Sequence, residues 1–255
     1  MSAAERPLAV ARAGDGPEIF HSIQGEGPCA GRPSVFVRLS LCNLACVWCD
    51  TDYTWNWEGT PFPHRRDAEA GYAKFRQDRE ILRLTPAEIA ERVIAFPCAS
   101  VVVTGGEPLV QQKLLPPLLE RLCAAGRSID FETNGTIVPT REVDGLTDLW
   151  VVSPKLANSG MPANTRIAPD ALDWFARSPR ASFKFVVGDP SDLDEVRALT
   201  ARHGIPAARV WLMPEGTTAD ELRKRRPWLV ARCLDTGMHY SDRVHVLAFG
   251  NRRGV

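Results

Sequence analysis

Short apolar and β-branched runs alternate with amphipathic stretches along most of this chain. Residues 35–39, 100–103, 129–132, 149–152, 183–187, 210–212 and 244–247 predict strands, because brief apolar segments between turn signals suit strands covered on both faces. Between them, residues 86–95, 113–125, 193–203 and 219–236 carry apolar positions at helical spacing. Thr85 stands where an N-cap belongs, with Glu88 three residues on, and Gly126, Gly204 and Gly237 follow the last three segments as stop signals. Pro227 interrupts the final helical segment and is expected to break or kink it. Strand and helix in alternation predict an α/β protein with a parallel sheet. Residues 52–84 mix aromatics, prolines and charges without a steady period, and read as an irregular insertion over the site.

Composition narrows the class. The 255 residues fit one domain, 1–255, in which roughly three quarters of the unfolded chain's surface can be buried. Lys plus Arg (31) balances Asp plus Glu (31), so no net field draws the chain to nucleic acid or an anionic membrane, and a small substrate fits better. The apolar run near the N-terminus is too short for a signal peptide, and no segment approaches the ~18 apolar residues of a membrane span, which predicts a cytoplasmic protein. Seven cysteines, an odd number in a chain large enough to need no disulfide, read as reduced thiols. Cys29, Cys98, Cys123 and Cys233 are dispersed and read as small buried or half-buried residues.

Cys42, Cys46 and Cys49 are different: they form a C-x3-C-x2-C triplet in SLCNLACVWCDT, directly after a predicted strand. Three thiolates at this spacing can hold three irons of a four-iron cluster and leave the fourth open for chemistry. The competing reading is a structural zinc site, which would need a fourth ligand, whereas His21, His64, His203 and His245 are isolated. TGGEP (104–108), ETNGT (132–136) and SPK (153–155) each follow a predicted strand as well. In parallel β/α folds the C-terminal strand ends gather the active site. Alone, GGEP is also compatible with a tight turn into a helix.

The triplet followed by GGEP resembles the radical S-adenosylmethionine (SAM) superfamily. A narrower match, EIFHSIQGEGPCAGRPSVFVRLSLCNLACVWCDT with TGGEP, ETNGT, VVSPK and LAFGNRRGV, resembles the 7-carboxy-7-deazaguanine synthase family over nearly the whole chain. The IQGEG block is the most discriminating part, since an activase that makes a glycyl radical on a partner protein would have no use for it.

The resemblance implies an incomplete TIM-like β/α barrel of about six parallel strands, and conversion of 6-carboxy-5,6,7,8-tetrahydropterin to 7-carboxy-7-deazaguanine with loss of ammonia. It implies a [4Fe-4S] cluster on Cys42, Cys46 and Cys49, SAM on its open iron, and Mg²⁺ at Thr51. SAM contacts are implied at Gly105, Gly106, Glu107, Glu132, Asn134, Ser153, Pro154 and Lys155. Substrate contacts are implied at Ile23, Gln24, Gly25, Glu26, Arg38, Thr104 and His245. A flavodoxin or ferredoxin-type electron donor and a homodimer are implied as partners. Read without the family, Gln24 to Gly27 would be a surface turn, Thr51 a cap or turn residue, and His245 a core or edge-strand histidine. Arg38 lies among apolar neighbours and needs a partner, either the substrate or a protein carboxylate. The chain departs from the family pattern in its longer 52–84 segment and its terminal GNRRGV, which bear on the lid over the pterin and on the role of Val255.

Overall fold

One sheet of eleven strands organises the chain, in a computed structural model that describes residues 6–255. Residues 1–5 of the expected 1–255 domain lie outside the described residues. In chain order the elements are β1 (Leu8–Ala13), β2 (Gly16–Pro17), β3 (Ile19–Ile23), β4 (Pro33–Leu39), α1 (Gln77–Glu80), β5 (Ile81–Leu84), α2 (Pro86–Ile94), β6 (Ser100–Gly105), α3 (Pro116–Ala124) and β7 (Ser128–Thr133). They continue with α4 (Arg141–Gly145), β8 (Leu149–Val152), α5 (Ala163–Arg166), α6 (Pro169–Arg177), β9 (Ala181–Val187), α7 (Asp192–Arg202), β10 (Val210–Pro214), α8 (Ala219–Thr236), β11 (His239–Tyr240) and α9 (Val244–Phe249).

Strands β4, β6, β7, β8, β9, β10 and the two-residue β11 pair in parallel in that order. The path runs from β11 at one edge to β1 and β2 at the other, so the sheet is an open partial barrel. Six of the seven expected strands are present. The seventh, residues 244–247, is the helix α9, and the edge place falls to β11, parallel to β10. A four-residue apolar run cannot by itself distinguish strand from helix.

The antiparallel strands β1, β2, β3 and β5 have no counterpart in the sequence reading. β5 closes the 52–84 segment and pairs with β1 from Leu8↔Leu84 to Ala11↔Ile81, so that segment ends inside the sheet. Its earlier part is also ordered: Trp57 bridges Phe75, and Lys74 Nζ donates to the carbonyls of Thr60 and Phe62 at 2.7 Å.

The helices follow their local signals. Thr85 and Glu88 form the expected capping box on α2. The expected helix over 113–125 begins later, at Pro116, after a 3-10 turn over Pro108–Leu114; Pro116 and Pro117 suit a first turn and no interior position. α8 runs through Pro227 without ending there. Its Thr218–Glu221 capping box and left-handed Gly237 set its ends, and Leu222, Leu229 and Cys233 bury its inner face, which offsets the one lost backbone donor. α6, another unpredicted element, packs Ala171, Leu172 and Phe175 on the sheet.

Strand alternation sorts the two faces of the sheet. Val35, Val37, Leu39, Val101, Val103, Ile129, Phe131, Trp150, Val152, Phe183, Phe185, Val187, Val210 and Leu212 point outward into the main core, against the helices. The intervening positions Arg38, Thr104, Glu132, Val151, Lys184, Val186 and Met213 point inward and line a cavity. The fold therefore packs its main apolar core between sheet and helices and leaves a mixed concave face, on which Arg38, Thr104, Glu132 and Lys184 are the polar positions.

Candidate active site

The cavity, of about 210 Å³, opens at the C-terminal ends of the parallel strands. It is lined by Cys42, Cys46, Cys49, Thr51, Ile23, Gln24, Gly25, Glu26, Arg38, Thr104, Gly105, Gly106, Glu132, Asn134, Ser153, Lys155 and His245, all singled out in the sequence. Glu107 and Pro154 are the two expected site residues that do not line it.

The cysteine loop leaves β4 through Leu41, which has a left-handed backbone (φ 75°) that costs a branched residue of this kind about 1–2 kcal/mol. The loop is locked to the glycine loop after β6. Gly106 N–H donates to the Leu39 carbonyl (3.1 Å) and Glu107 N–H to that of Leu41 (2.8 Å). A Cβ on Gly106 would lie 2.3 Å from Leu41 O, and one on Gly105 would lie 1.9 Å from Leu39 O. The two glycines are thus required by backbone contact, whatever they bind.

The three thiols line one wall of the cavity, all seven cysteines of the chain are free, and Cys123 is exposed rather than buried. Burial raises the Cys42 and Cys49 thiols and pushes Cys46 up to about 12. Among the described residues no group of three His, Cys, Asp or Glu is placed to hold a single metal ion. The donor chemistry fits a cluster with soft thiolate ligands. Around Cys49, Thr51 Oγ1 lies 3.5 Å from the sulfur and His64 Nε2 lies 2.9 Å from the carbonyl oxygen. His64, isolated in sequence, is buried in the fold and packs edge-on to Trp55.

Glu107 has a different place from the one expected. Its carboxylate is fully buried and accepts from Asn134 N (2.6 Å), Leu109 N (3.0 Å) and Thr133 Oγ1 (2.9 Å). Burial raises its pKa, against these donors. It braces the end of β6 to the end of β7 and presents no group to the cavity. Asn134 Nδ2 donates to Asn43 Oδ1 (2.8 Å) and so ties the β7 end to the cysteine loop. Lys155 Nζ donates to Ser153 Oγ (3.0 Å) and lies 5.7 Å from the Trp48 ring centroid.

The opposite end of the cavity is polar and densely paired. Gln24 Nε2 donates to Glu132 Oε1 (3.1 Å), and Thr104 Oγ1 to Glu132 Oε2 (2.7 Å). Glu26 is gripped by the Lys184 ammonium and by Arg243 Nε (2.9 Å), while the same guanidinium pairs with Asp50 and donates to the Gly216 carbonyl (2.6 Å). Burial alone would raise Glu26; Lys184 and Arg243 outweigh it and hold the carboxyl well below its ordinary range. Gly25 lets His245 in close: a Cβ there would lie 2.2 Å from His245 Nδ1. Burial lowers the His245 pKa and favours the neutral ring.

Arg38 does have a protein partner. Its Nε donates to Glu18 Oε1 (2.7 Å), and Tyr53 OH donates to both Glu18 oxygens at 3.0 and 2.9 Å. This pair occupies one edge of the guanidinium, whose side chain still lines the cavity. Lys184, Arg243, Asp50 and Glu18 were missed in the sequence. A lone lysine in the apolar strand ASFKFVV was the available signal for Lys184, and Arg243 had none.

Residues 37–156 match the model of the Radical SAM superfamily. The chain is 39% identical over 241 residues to the 7-carboxy-7-deazaguanine synthase of Pyrobaculum aerophilum, covering 93% of this chain and 95% of that protein. It is 38% identical over 260 residues to the 7-carboxy-7-deazaguanine synthase of Halobacterium salinarum, covering 91% of each. Its fold is similar to the crystal structure of QueE from Escherichia coli, with a TM-score of 0.65, 25% identity and coverage of 94% of this chain and 95% of that one.

Proposed function

Because the chain belongs to the 7-carboxy-7-deazaguanine synthase family of radical SAM enzymes, we propose that its cavity holds cofactor at the cysteine end and a carboxypterin at the paired polar end. The enzyme converts 6-carboxy-5,6,7,8-tetrahydropterin to 7-carboxy-7-deazaguanine with loss of ammonia, a carbon–nitrogen lyase step in 7-deazapurine (queuosine-type) biosynthesis. The carrying observation is that the three thiols and the set Gln24, Glu26 and Arg38 share one cavity.

The cofactors of this family are a [4Fe-4S] cluster and SAM. When bound, they supply the one-electron cleavage of SAM and the radical that takes a hydrogen atom from the substrate. Cys42, Cys46 and Cys49 hold the cluster, with the backbone of Gly105 and Gly106, and with Asn134, Ser153 and Lys155, around SAM. Glu107 and Pro154 act through the backbone they fix.

Glu26, kept ionised by Lys184 and Arg243, accepts from the donor edge of the pterin, and Gln24 reads the adjacent position while it is held by Glu132. The free edge of the Arg38 guanidinium takes the substrate carboxylate, a fork-to-carboxylate match oriented by Glu18. Thr104 and Ile23 shape the remaining wall, and neutral His245 closes it beside Gly25. Mg²⁺ binds at Thr51, with one protein oxygen and the rest of its shell from water and substrate.

The chain works as a single domain, supported by one continuous sheet and core. It functions in the cytoplasm as a homodimer reduced by a flavodoxin or ferredoxin. Among the described residues no helix is long and apolar enough to cross a membrane.

The test is anaerobic incubation of reconstituted protein with reductant, SAM, Mg²⁺ and 6-carboxytetrahydropterin, read by mass spectrometry. 7-Carboxy-7-deazaguanine in many-fold excess over SAM consumed supports the reading, and a rate unchanged by chelation of Mg²⁺ removes the metal from it. An intact cluster that yields 5′-deoxyadenosine without deazaguanine refutes the substrate.

A further inference from the structure

We propose that the Trp55 indole N–H donates a hydrogen bond to the sulfur of Cys49 when the cluster is bound, and that this bond raises the reduction potential of the cluster. The inference rests on the cluster assignment above. Trp55 is 5% exposed and stands in the cavity wall with Cys49 and Thr51. Two contacts fix it there. Its backbone N–H donates to the Asp52 carbonyl (3.1 Å), and its ring packs against His64 with centroids 6.0 Å apart, the same His64 whose Nε2 meets the Cys49 carbonyl at 2.9 Å.

The indole nitrogen is buried and finds no hydrogen-bond partner among the described residues. An indole is a donor only, and a buried donor without an acceptor costs about 1–3 kcal/mol. Such a group in a site wall calls for an acceptor that arrives with the cofactor. Trp55 shares the cavity wall with Cys49, and His64, packed on the indole ring, ties that ring to the Cys49 backbone. A neutral thiol is a weak acceptor, whereas an iron-bound thiolate carries negative charge and accepts strongly.

The consequence is electrostatic. Reduction adds one negative charge to the cluster, so a donor aimed at a ligand sulfur stabilises the reduced state more than the oxidised one. Cys49 also has a side-chain hydroxyl beside it, Thr51 Oγ1 at 3.5 Å from the sulfur. At Cys42 the contact is with a backbone group instead, Leu44 N at 3.4 Å. Trp55 is thus a positioning residue for electron transfer, acting through Cys49.

The experiment is a potentiometric titration of the holoenzyme without SAM, read by the electron paramagnetic resonance of the reduced cluster, for the unsubstituted protein and Trp55→Phe at equal iron content. Phenylalanine keeps the ring and removes the N–H. The expected result is a midpoint more negative by a tenfold change in the reduction equilibrium, about 59 mV for one electron. Equal midpoints overturn the proposal. Should Trp55→Phe load poorly, a second measurement uses Trp48→Phe protein carrying isotopically labelled indole nitrogen. Electron–nuclear double resonance of its reduced cluster should detect that nitrogen and an exchangeable proton beside it, and their absence also overturns the proposal. Failure of the unsubstituted protein to take up iron and sulfide would remove the cluster assignment, and this inference with it.

Discussion

Arg243 Nε donates to Glu26 Oε1 at 2.9 Å, and through its other nitrogens the same guanidinium reaches Asp50, next to the third cysteine, and the Gly216 carbonyl after β10. One side chain therefore ties the loop after β3, the cysteine loop and a sheet end. Arg243→Met would leave Asp50 without its cation and Glu26 with one cation in place of two. Stability should fall by about 3–5 kcal/mol, as for other buried pairs that lose one partner. Chemical denaturation of the two proteins checks this, and an unchanged unfolding midpoint would contradict it.

Lys184 sets the charge of Glu26, and the sign of its effect can be worked out. The folded-state pKa of Glu26 lies below its unfolded value, so its contribution to stability is present above the unfolded pKa and is lost as pH falls through the folded one. In Lys184→Met burial gains on the remaining cation and the carboxyl titrates at higher pH. The acid limb of the kcat/KM profile for the pterin should therefore move upward, with Lys184→Arg returning it toward the original position. A limb that stays in place in the methionine variant would argue against Glu26 as the group that reads the substrate.

Glu18 orients Arg38 without touching the cavity centre. Glu18→Gln weakens the charge-assisted bond at Arg38 Nε, and KM for the carboxypterin should rise about tenfold, the equivalent of about 1.4 kcal/mol. With Arg38 in its proposed role the substrate carboxylate is held in ground and transition states alike, so kcat should change little. Steady-state kinetics decide the matter, and a fall in kcat at constant KM would place Arg38 in another role.

Gly106 has no room for a methyl group. A Cβ there would meet Leu41 O at 2.3 Å and Cys42 Cβ at 2.9 Å, both in the strained entry to the cysteine loop. Gly106→Ala should reduce iron bound per chain after reconstitution several-fold. Gly145→Ala is the control, since nothing lies within 4 Å of its added carbon, and it should load as the unsubstituted protein does.

Much of this site was legible because its residues sit in contiguous motifs at strand ends, where one parallel sheet brings distant segments together. The parallel strands were legible for the same reason: strands covered on both faces are apolar runs, as in Val101 to Val103. β1 and β3 were not, because LAVARA and IFHSI are short, mixed and defined by pairing partners. α9 was read as a strand since VHVL satisfies either period over so few residues. Arg243 stayed hidden because its role arises from a contact across 217 positions of chain, which no local pattern records, whereas Lys184, 158 positions from Glu26, showed only as a lone lysine in an apolar strand. Glu107 shows the converse: a motif drew attention to it, and its three protein donors give it a bracing role.

That bracing has a mechanical side. With Glu107 locking β6 to β7, Asn134 bound to Asn43, and Gly106 and Glu107 hydrogen-bonded into the cysteine loop, three of the cavity's rims form one stiff unit. The side formed by the short helix α9 is built differently: Val244, Leu247 and Phe249 face solvent, while Arg243 at its N-cap is buried against Glu26 and Asp50. A displacement of any one of the braced rims is therefore passed to the other two, so the cysteine loop keeps its dimensions only while the ends of β6 and β7 keep theirs.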